Sequence, residues 1–412
     1  MRISTNQFYQ NSLFAINSQQ SRLMHIYQQL GSGSRLTTPA DDPLASAQSV
    51  NLSQSLSLNQ RLAANREVAR RDLGVEENTL HTVTLLLQDI KTRLIEAGNG
   101  AMSDSDRATL GDVLAQARTS LLGLANATDG NGQYLFSGSR GDTAPFQERE
   151  GSIVYMGDAL QRHIQADQTR RMPGSDVGTD VFARAAPGET CYLTRSGPNN
   201  AGTCVIGSPS ITTAAGGAGN RYVLTFTSPA EFSIVATGAD GAETARMEGQ
   251  PYVSGKEGAI ALPDGIQVFL AGQPETGDIF VVEPAASAET DLNVFATLDL
   301  IIGALQANTS NDPVAGARLS NALGSAMQRI DVTHDNVLTV RASVGARLDE
   351  LDALDANGAQ RALGYSQLLS RLEDLDYYSA SMQLQLKLSA LEAASLAFQK
   401  IRATNLFNLN IN

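Results

Sequence analysis

Apolar residues recur at alternating steps of four and three through most of the two ends of this chain. That 3.5-residue period keeps one face of a helix turned toward a partner helix. Near the amino terminus Tyr9, Leu13, Ile16, Gln20, Leu23, Tyr27 and Leu30 follow the rule. The series predicts a helix that stops near Gly31 and Gly33, because glycine commonly sits just past a helix end. Asp41, Asp42 and Pro43 predict the next start, with Asp42 as the cap and Pro43 at the first helical position, where a missing N–H costs nothing. Leu62, Arg66, Ala69, Leu73, Glu76, Leu80, Val83, Leu87, Ile90, Leu94 and Ala97 then hold the alternation. A helix from Leu44 to Ala97 would be about 80 Å long. A third helix is predicted over Leu110–Thr128, with Leu110, Leu114, Ala117, Leu121 and Leu124 in register.

The other end repeats the design. Phe295, Leu298, Ile302 and Leu305 mark a short helix before Pro313, and a long series runs from Leu319 to Leu354. After Gly358 a further series passes through Leu368, Leu372, Leu375, Ser379, Met382, Leu386, Ser389, Ala393 and Leu396, with a second stripe, Leu384, Leu388, Leu391 and Phe398, beside it. A long helix with one apolar stripe cannot bury that stripe alone, so the two ends of the chain are expected to pair. For residues 44–128 with 313–356 an ordinary intramolecular bundle accounts for the pattern. The terminal stripes, 7–30 and 366–403, carry Gln20, Ser379, Ser389 and Ala393 in their seams, and helices this marginal suit a segment that orders when many copies pack together.

Between them the pattern changes. Ten of the 13 prolines and 20 of the 36 glycines fall within residues 139–288. Strands separated by turns are predicted there at Ile153–Met156, Arg221–Phe226, Phe232–Val235, Ile266–Leu270 and Ile279–Val282, with Gly-rich connections such as Ala214–Asn220. The predicted fold class is α+β: a long α-helical coiled-coil rod built from both chain termini, with an inserted Gly/Pro-rich β domain. The expected division is 1–42 with 366–412 as terminal assembly helices, 43–138 with 289–365 as the rod, and 139–288 as the outer β-rich domain.

Charge and composition narrow the function. The formal net charge is −13 over 412 residues, and no basic segment offers phosphate contacts, which argues against nucleic-acid binding. A 42% hydrophobic share excludes global disorder, while aromatics at 5% with no tryptophan point to cores of Leu, Ile, Val and Ala. Residues Met1–Leu30 hold no apolar stretch behind a basic start, and no run approaches the eighteen residues of a membrane span. On those signs alone the chain reads as cytoplasmic, with no membrane insertion. Cys191 and Cys204 enclose a Gly/Pro/Asn loop and read two ways, as buried thiols or, outside the cell, as a disulfide contributing roughly 3 kcal/mol.

Catalytic constellations are scarce. His25, His81, His163 and His334 stand apart from one another and from the cysteines, so no metal-ligand spacing forms. Gly216-Gly217-Ala218-Gly219 lacks the spacing of a dinucleotide fingerprint. Asp129-Gly130-Asn131-Gly132 resembles the start of a calcium loop without the later carboxylate and reads better as a hairpin turn. Asp41-Asp42 reads as a helix start before it reads as a cation site. The sequence argues against an enzyme and implies no cofactor.

Particular motifs carry a resemblance. Met-Arg-Ile-Ser-Thr-Asn at 1–6, Gln29-Leu30-Gly31-Ser32-Gly33 with Arg35-Leu36, and Pro39-Ala40-Asp41-Asp42-Pro43 resemble the amino-terminal signature of the flagellin superfamily, and Met-Arg-Ile-Ser-Thr with Asp-Asp-Pro resembles its hook-filament junction branch. Asn131-Gly132-Gln133-Tyr134-Leu135-Phe136-Ser137-Gly138, Pro145-Phe146 and Tyr155-Met156-Gly157-Asp158 agree. So do Tyr252-Val253-Ser254-Gly255, Gly265-Ile266-Gln267-Val268, Gly272-Gln273-Pro274 and Gly277-Asp278-Ile279-Phe280. The tail Asn405–Asn412 departs from the Leu-Leu-Arg ending common in flagellins and keeps only Leu406-Phe407 of the junction branch.

The resemblance implies a structural part of the bacterial flagellum, a ring that adapts a flexible hook to a stiff filament. It also implies export without a cleaved signal through the flagellar type III apparatus, with an export chaperone, which reverses the cytoplasmic reading. Its implied partners are the first hook-associated junction protein, flagellin and further copies of itself. The implied subunit contacts are Leu13, Ile16, Leu23, Tyr27 and Leu30 with Met382, Leu386, Leu391, Leu396 and Phe398. A flagellin-type filament subunit is the alternative, and a secreted adhesin or enzyme on a helical stalk is the reading from another class.

Overall fold

A computed structural model describes residues 5–212, 219–253, 258–287 and 290–403. Met1–Ser4, Gly216-Gly217-Ala218, Ser254-Gly255 and the tail Asn405–Asn412 with its Leu406-Phe407 lie outside the described residues, as does the side chain of Tyr9. The fold is α+β, with helices at both ends and a β-rich middle. The chain forms two compact units, Met1–Ala64 with Ala353–Asn412, and Asn65–Asp352. Helices α1 (Thr5–Ser32) and α7 (Tyr377–Ala403) belong to the first, and α2 (Pro43–Ala97) and α6 (Pro313–Glu373) contribute to both.

In the larger unit the predicted seam of α2 is buried at every position from Arg66 to Ala97. Each Leu or Ile in it contributes roughly 1.5–3 kcal/mol by leaving water. Three ion pairs set α2 beside α6 in opposite directions: Arg70 with Asp352 at 2.8 Å, Glu77 with Arg341 at 2.7 Å and Lys91 with Asp331 at 2.5 Å. Exposed or only partly buried, each is worth about 1 kcal/mol, so the apolar seam dominates. Helices α3 (Asp104–Ala125) and α5 (Val294–Gln306) pack together, and a Cβ on Gly111 would lie 3.6 Å from the Leu305 Cβ. Helix α3 starts six residues ahead of the predicted Leu110 because Ser103 caps it, its hydroxyl accepting from the Asp106 amide while the Asp106 carboxylate accepts from the Ser103 amide.

The middle opens with two hairpins, β1 (Phe146–Arg149) with β2 (Ser152–Tyr155) and β3 (His163–Gln165) with β4 (Arg171–Pro173), followed by the single-turn α4 (Gly178–Phe182). Two antiparallel sheets follow. One has the order β10 (Glu243–Pro251), β9 (Glu231–Thr237), β8 (Arg221–Ser228), β13 (Ile279–Pro284), β5 (Tyr192–Ser196). The other joins β11 (Gly258–Leu262), β12 (Ile266–Ala271), β6 (Val205–Ile206) and β7 (Ser210–Ile211). Alternate residues, Tyr222, Leu224 and Phe226 on β8 with Ile266, Val268 and Leu270 on β12, meet in one core. This is the period of a strand with one covered face. Strand β13 departs from it: Val281 and Glu283 are buried on its second face, where Arg329 of α6 reaches Glu283 at 3.4 Å. Helix α6 also holds the sheets through Asn321, which accepts from the Ile206 amide and donates to the Cys204 carbonyl, both at 2.9 Å.

One expectation needs correction, and one open reading is resolved. The aromatics, though few, are concentrated rather than replaced by aliphatics: Phe136, Phe146, Phe182 and Phe295 form one cluster, and Phe226, Phe232, Tyr252 and Phe280 another. Cys191 and Cys204 are free thiols in separate apolar clusters. Burial pushes Cys191 up to about 12, with Glu189 adding to the shift, and Cys204 up to about 11, so both stay protonated and inert.

Candidate subunit interface on the terminal helices

The chain turns at Gly33, whose φ of 72° is left-handed and whose amide donates to the Gln29 carbonyl at 2.9 Å, closing α1. A Cβ there would stand 2.9 Å from the Tyr377 hydroxyl. The loop that follows is tied to the end of α6. The Arg35 amide donates to the Glu373 carbonyl at 2.6 Å and the Arg35 guanidinium to the Leu372 carbonyl at 2.9 Å, occupying carbonyls a helix end leaves unpaired. The Leu375 amide returns a bond to the Gly33 carbonyl at 3.1 Å.

The Asp41-Asp42-Pro43 start is fully engaged. Asp41 accepts from the amides and hydroxyls of Thr37 and Thr38, which hold its carboxyl down at about 2, the Thr38 amide contributing most. Asp42 accepts from the Ala45 amide at 3.0 Å and pairs with Arg35 at 3.3 Å, and that amide bond first, then Arg35, holds its carboxyl below the usual range. These acceptors serve protein donors. Among the described residues no cluster of His, Cys, Asp or Glu could hold a metal. The Asp129 carboxylate likewise accepts from the Asn131 and Gln133 amides at 2.7 and 2.9 Å, an ordinary turn.

Helices α1 and α7 pack against each other, and their covered faces differ from the predicted seams by one step. On α1 the covered line is Ser12, Ile16, Gln19, Leu23, Ile26 and Leu30. Ile26 is 6% exposed, whereas the predicted Tyr27 is 46% exposed and Leu13 also lies outside. On α7 the covered line is Ala380, Leu384, Lys387, Leu391, Ala394 and Phe398, so of the stripe expected to be secondary Leu384, Leu391 and Phe398 face inward while Leu388 is exposed. The stripe expected to be primary, Met382, Leu386 and Leu396, faces out, with Leu386 65% exposed. Helix α6 also runs through Gly358 instead of ending there. Gly358 is buried and its carbonyl accepts from Asn59 at 2.8 Å, and the break comes between Glu373 and Tyr377.

Five of the ten predicted contact residues, Ile16, Leu23, Leu30, Leu391 and Phe398, are therefore half-buried on the covered lines. The other five, Leu13, Tyr27, Met382, Leu386 and Leu396, are exposed, and Phe14, Met24 and Tyr378 join them. Sequence reading missed those three because they fall outside a strict heptad. Large apolar side chains thus stand in water along two packed helices.

Residues 3–140 match the bacterial flagellin N-terminal helical region. Over 410 residues, all of this chain and all of the relative, the sequence is 29% identical to flagellar hook-associated protein 3 of Escherichia coli K12. The chain is thus similar to flagellar hook-associated protein 3 from end to end. Solved structures agree. The flagellar junction protein FlgL of Legionella pneumophila is 26% identical with a TM-score of 0.63, over 79% of this chain and all of that one. FlgL of Xanthomonas campestris is 25% identical with a TM-score of 0.65, over 77% of this chain and 99% of that one. The Asn131–Gly138 motif has a structural reason in this chain. Gly138 has a φ of 71°, and a Cβ on it would fall 2.2 Å from the Asp158 carboxylate, which accepts from the Ser139 amide at 2.8 Å.

Proposed function

We propose that this chain is a structural subunit of the bacterial flagellum that forms the hook-filament junction ring and adapts the flexible hook to the flagellin filament. The end-to-end match to flagellar hook-associated protein 3, covering all of both chains, carries this reading. The exposed apolar stripes on α1 and α7 support it, since a ring subunit needs side-to-side contacts and these helices leave them unmade. Residues 1–42 and 366–412 form coiled-coil inner tubes, with Leu13, Tyr27, Met382, Leu386 and Leu396 meeting neighbouring copies. Residues 43–138 with 289–365 make the rod, and 139–288 project outward as the β domain. The partners are the first hook-associated junction protein below, flagellin above and copies of the chain alongside. The chain reaches the cell exterior unfolded through the type III apparatus, with a chaperone and without a cleaved signal, and works by mechanical coupling without turnover.

An epitope inserted between Asp240 and Gly241, an exposed turn joining β9 to β10, reports the position of the subunit. Gold labelling of purified flagella is expected to give one thin band where hook meets filament. Label spread along the filament would instead make the chain a filament subunit.

A further inference from the structure

The β3–β4 hairpin and the residues after it form a strap over α2 and α6, held by polar ties. Asn65 donates to the Gln165 carbonyl at 3.1 Å, Arg66 to the Ala166 carbonyl at 3.0 Å, and Arg170 pairs with Glu350 at 2.7 Å. Asn336 donates to the Asp180 carbonyl at 2.7 Å. At the centre is Glu76, fully buried in the α2 seam, whose Oε1 accepts from the Asp176 amide at 2.9 Å. The Asp176 carboxylate in turn binds Arg347 at 2.6 Å and Gln161 at 2.8 Å. Glu76 thus lies beside a carboxylate that already occupies the nearby guanidinium. The Glu76 Oε2 and the Arg347 Nη1 are buried with no hydrogen-bond partner. A second carboxylate in so dry a site is costly, whereas a neutral acid is tolerated.

We propose that Glu76 is a proton-operated latch: as a neutral carboxylic acid it holds the strap on α2, and as a carboxylate it lets the strap go. The charged groups facing Glu76 are Asp176 from the strap and Arg347 from α6. Its neighbours on α2 are engaged elsewhere, Asp72 with Arg71 and Glu77 with Arg341. Burial first, then the Asp176 carboxylate, push the Glu76 carboxyl from an ordinary 4.5 up to about 8. A group whose value is raised in the closed state gives stability that is complete below its open-state value and lost as pH rises through the closed-state value. Opening therefore becomes easier from about pH 4.5 to about 8 and levels off above that.

The test is amide hydrogen exchange of the full chain between pH 5.5 and 7.5, corrected for intrinsic rates and read on peptides spanning residues 161–177. Protection in this strap is expected to fall by up to about tenfold per pH unit, and Glu76→Gln, neutral at every pH, is expected to hold it constant. His163, exposed on β3 and bonded to the Gln161 carbonyl, is present in both proteins, so the difference between them isolates Glu76. Asp176→Asn provides a second arm, in which loss of the neighbouring charge brings the levelling-off to lower pH. Strap protection with the same pH dependence in wild type and Glu76→Gln, or none in the wild type, overturns the latch.

Discussion

Leu386→Asp is expected to abolish filament growth while leaving the free subunit folded. The side chain is 65% exposed on the outward stripe of α7, so its loss from the isolated subunit changes stability by no more than about 0.5 kcal/mol. In the ring the same residue would be covered by a neighbour. The substitution then removes roughly 1.5–3 kcal/mol of apolar burial and adds a carboxylate with no partner, at a further cost of several kcal/mol. Every subunit of a closed ring repeats the defect, so assembly fails as a whole. The thermal midpoint of the purified variant and electron microscopy of a strain carrying it separate the two effects. Normal filaments in that strain would remove Leu386 from the assembly surface.

Phe295→Ala should damage the subunit itself. Phe295 is fully buried on α5, with its ring 5.2 Å from that of Phe146 on β1 and 6.3 Å from that of Phe182 on α4. It joins the helical part of the larger unit to the start of its β-rich part. Truncating a buried phenylalanine costs roughly 3–5 kcal/mol through lost burial and the cavity left behind. Phe295→Leu, which keeps most of the volume, should cost much less. Urea denaturation followed by circular dichroism measures both. A loss below about 1 kcal/mol for the alanine variant would mean that the cluster does not hold these elements together.

How far the sequence revealed this arrangement depends on how many faces each segment offers. The seam of α2 is a single line from Arg66 to Ala97 with mostly polar neighbours, and every position its period picked out is buried, with only Thr79 and Thr84 buried beside it. Helix α7 carries two apolar stripes one step apart, Met382-Leu386-Leu396 and Leu384-Leu391-Phe398, and a 3.5-residue period fits either. Only packing against α1 decides which is covered. Strands β8, β9, β12 and β13 show apolar residues at alternate positions or in short runs. Strand β10 went unseen because it pairs on one side only, along β9, with two register shifts, so few of its residues need to be apolar. The Glu76 cluster was half legible. The period put Glu76 on the seam of α2, but its partner Asp176 lies 100 residues away, and no local pattern joins them.

Deletion of the gene tests the junction assignment most directly. Cells lacking the chain are expected to carry complete hooks with no filaments and to shed flagellin into the medium, because the hook would then have no ring on which filament subunits can start. Filaments of normal length growing from those hooks would contradict a junction role.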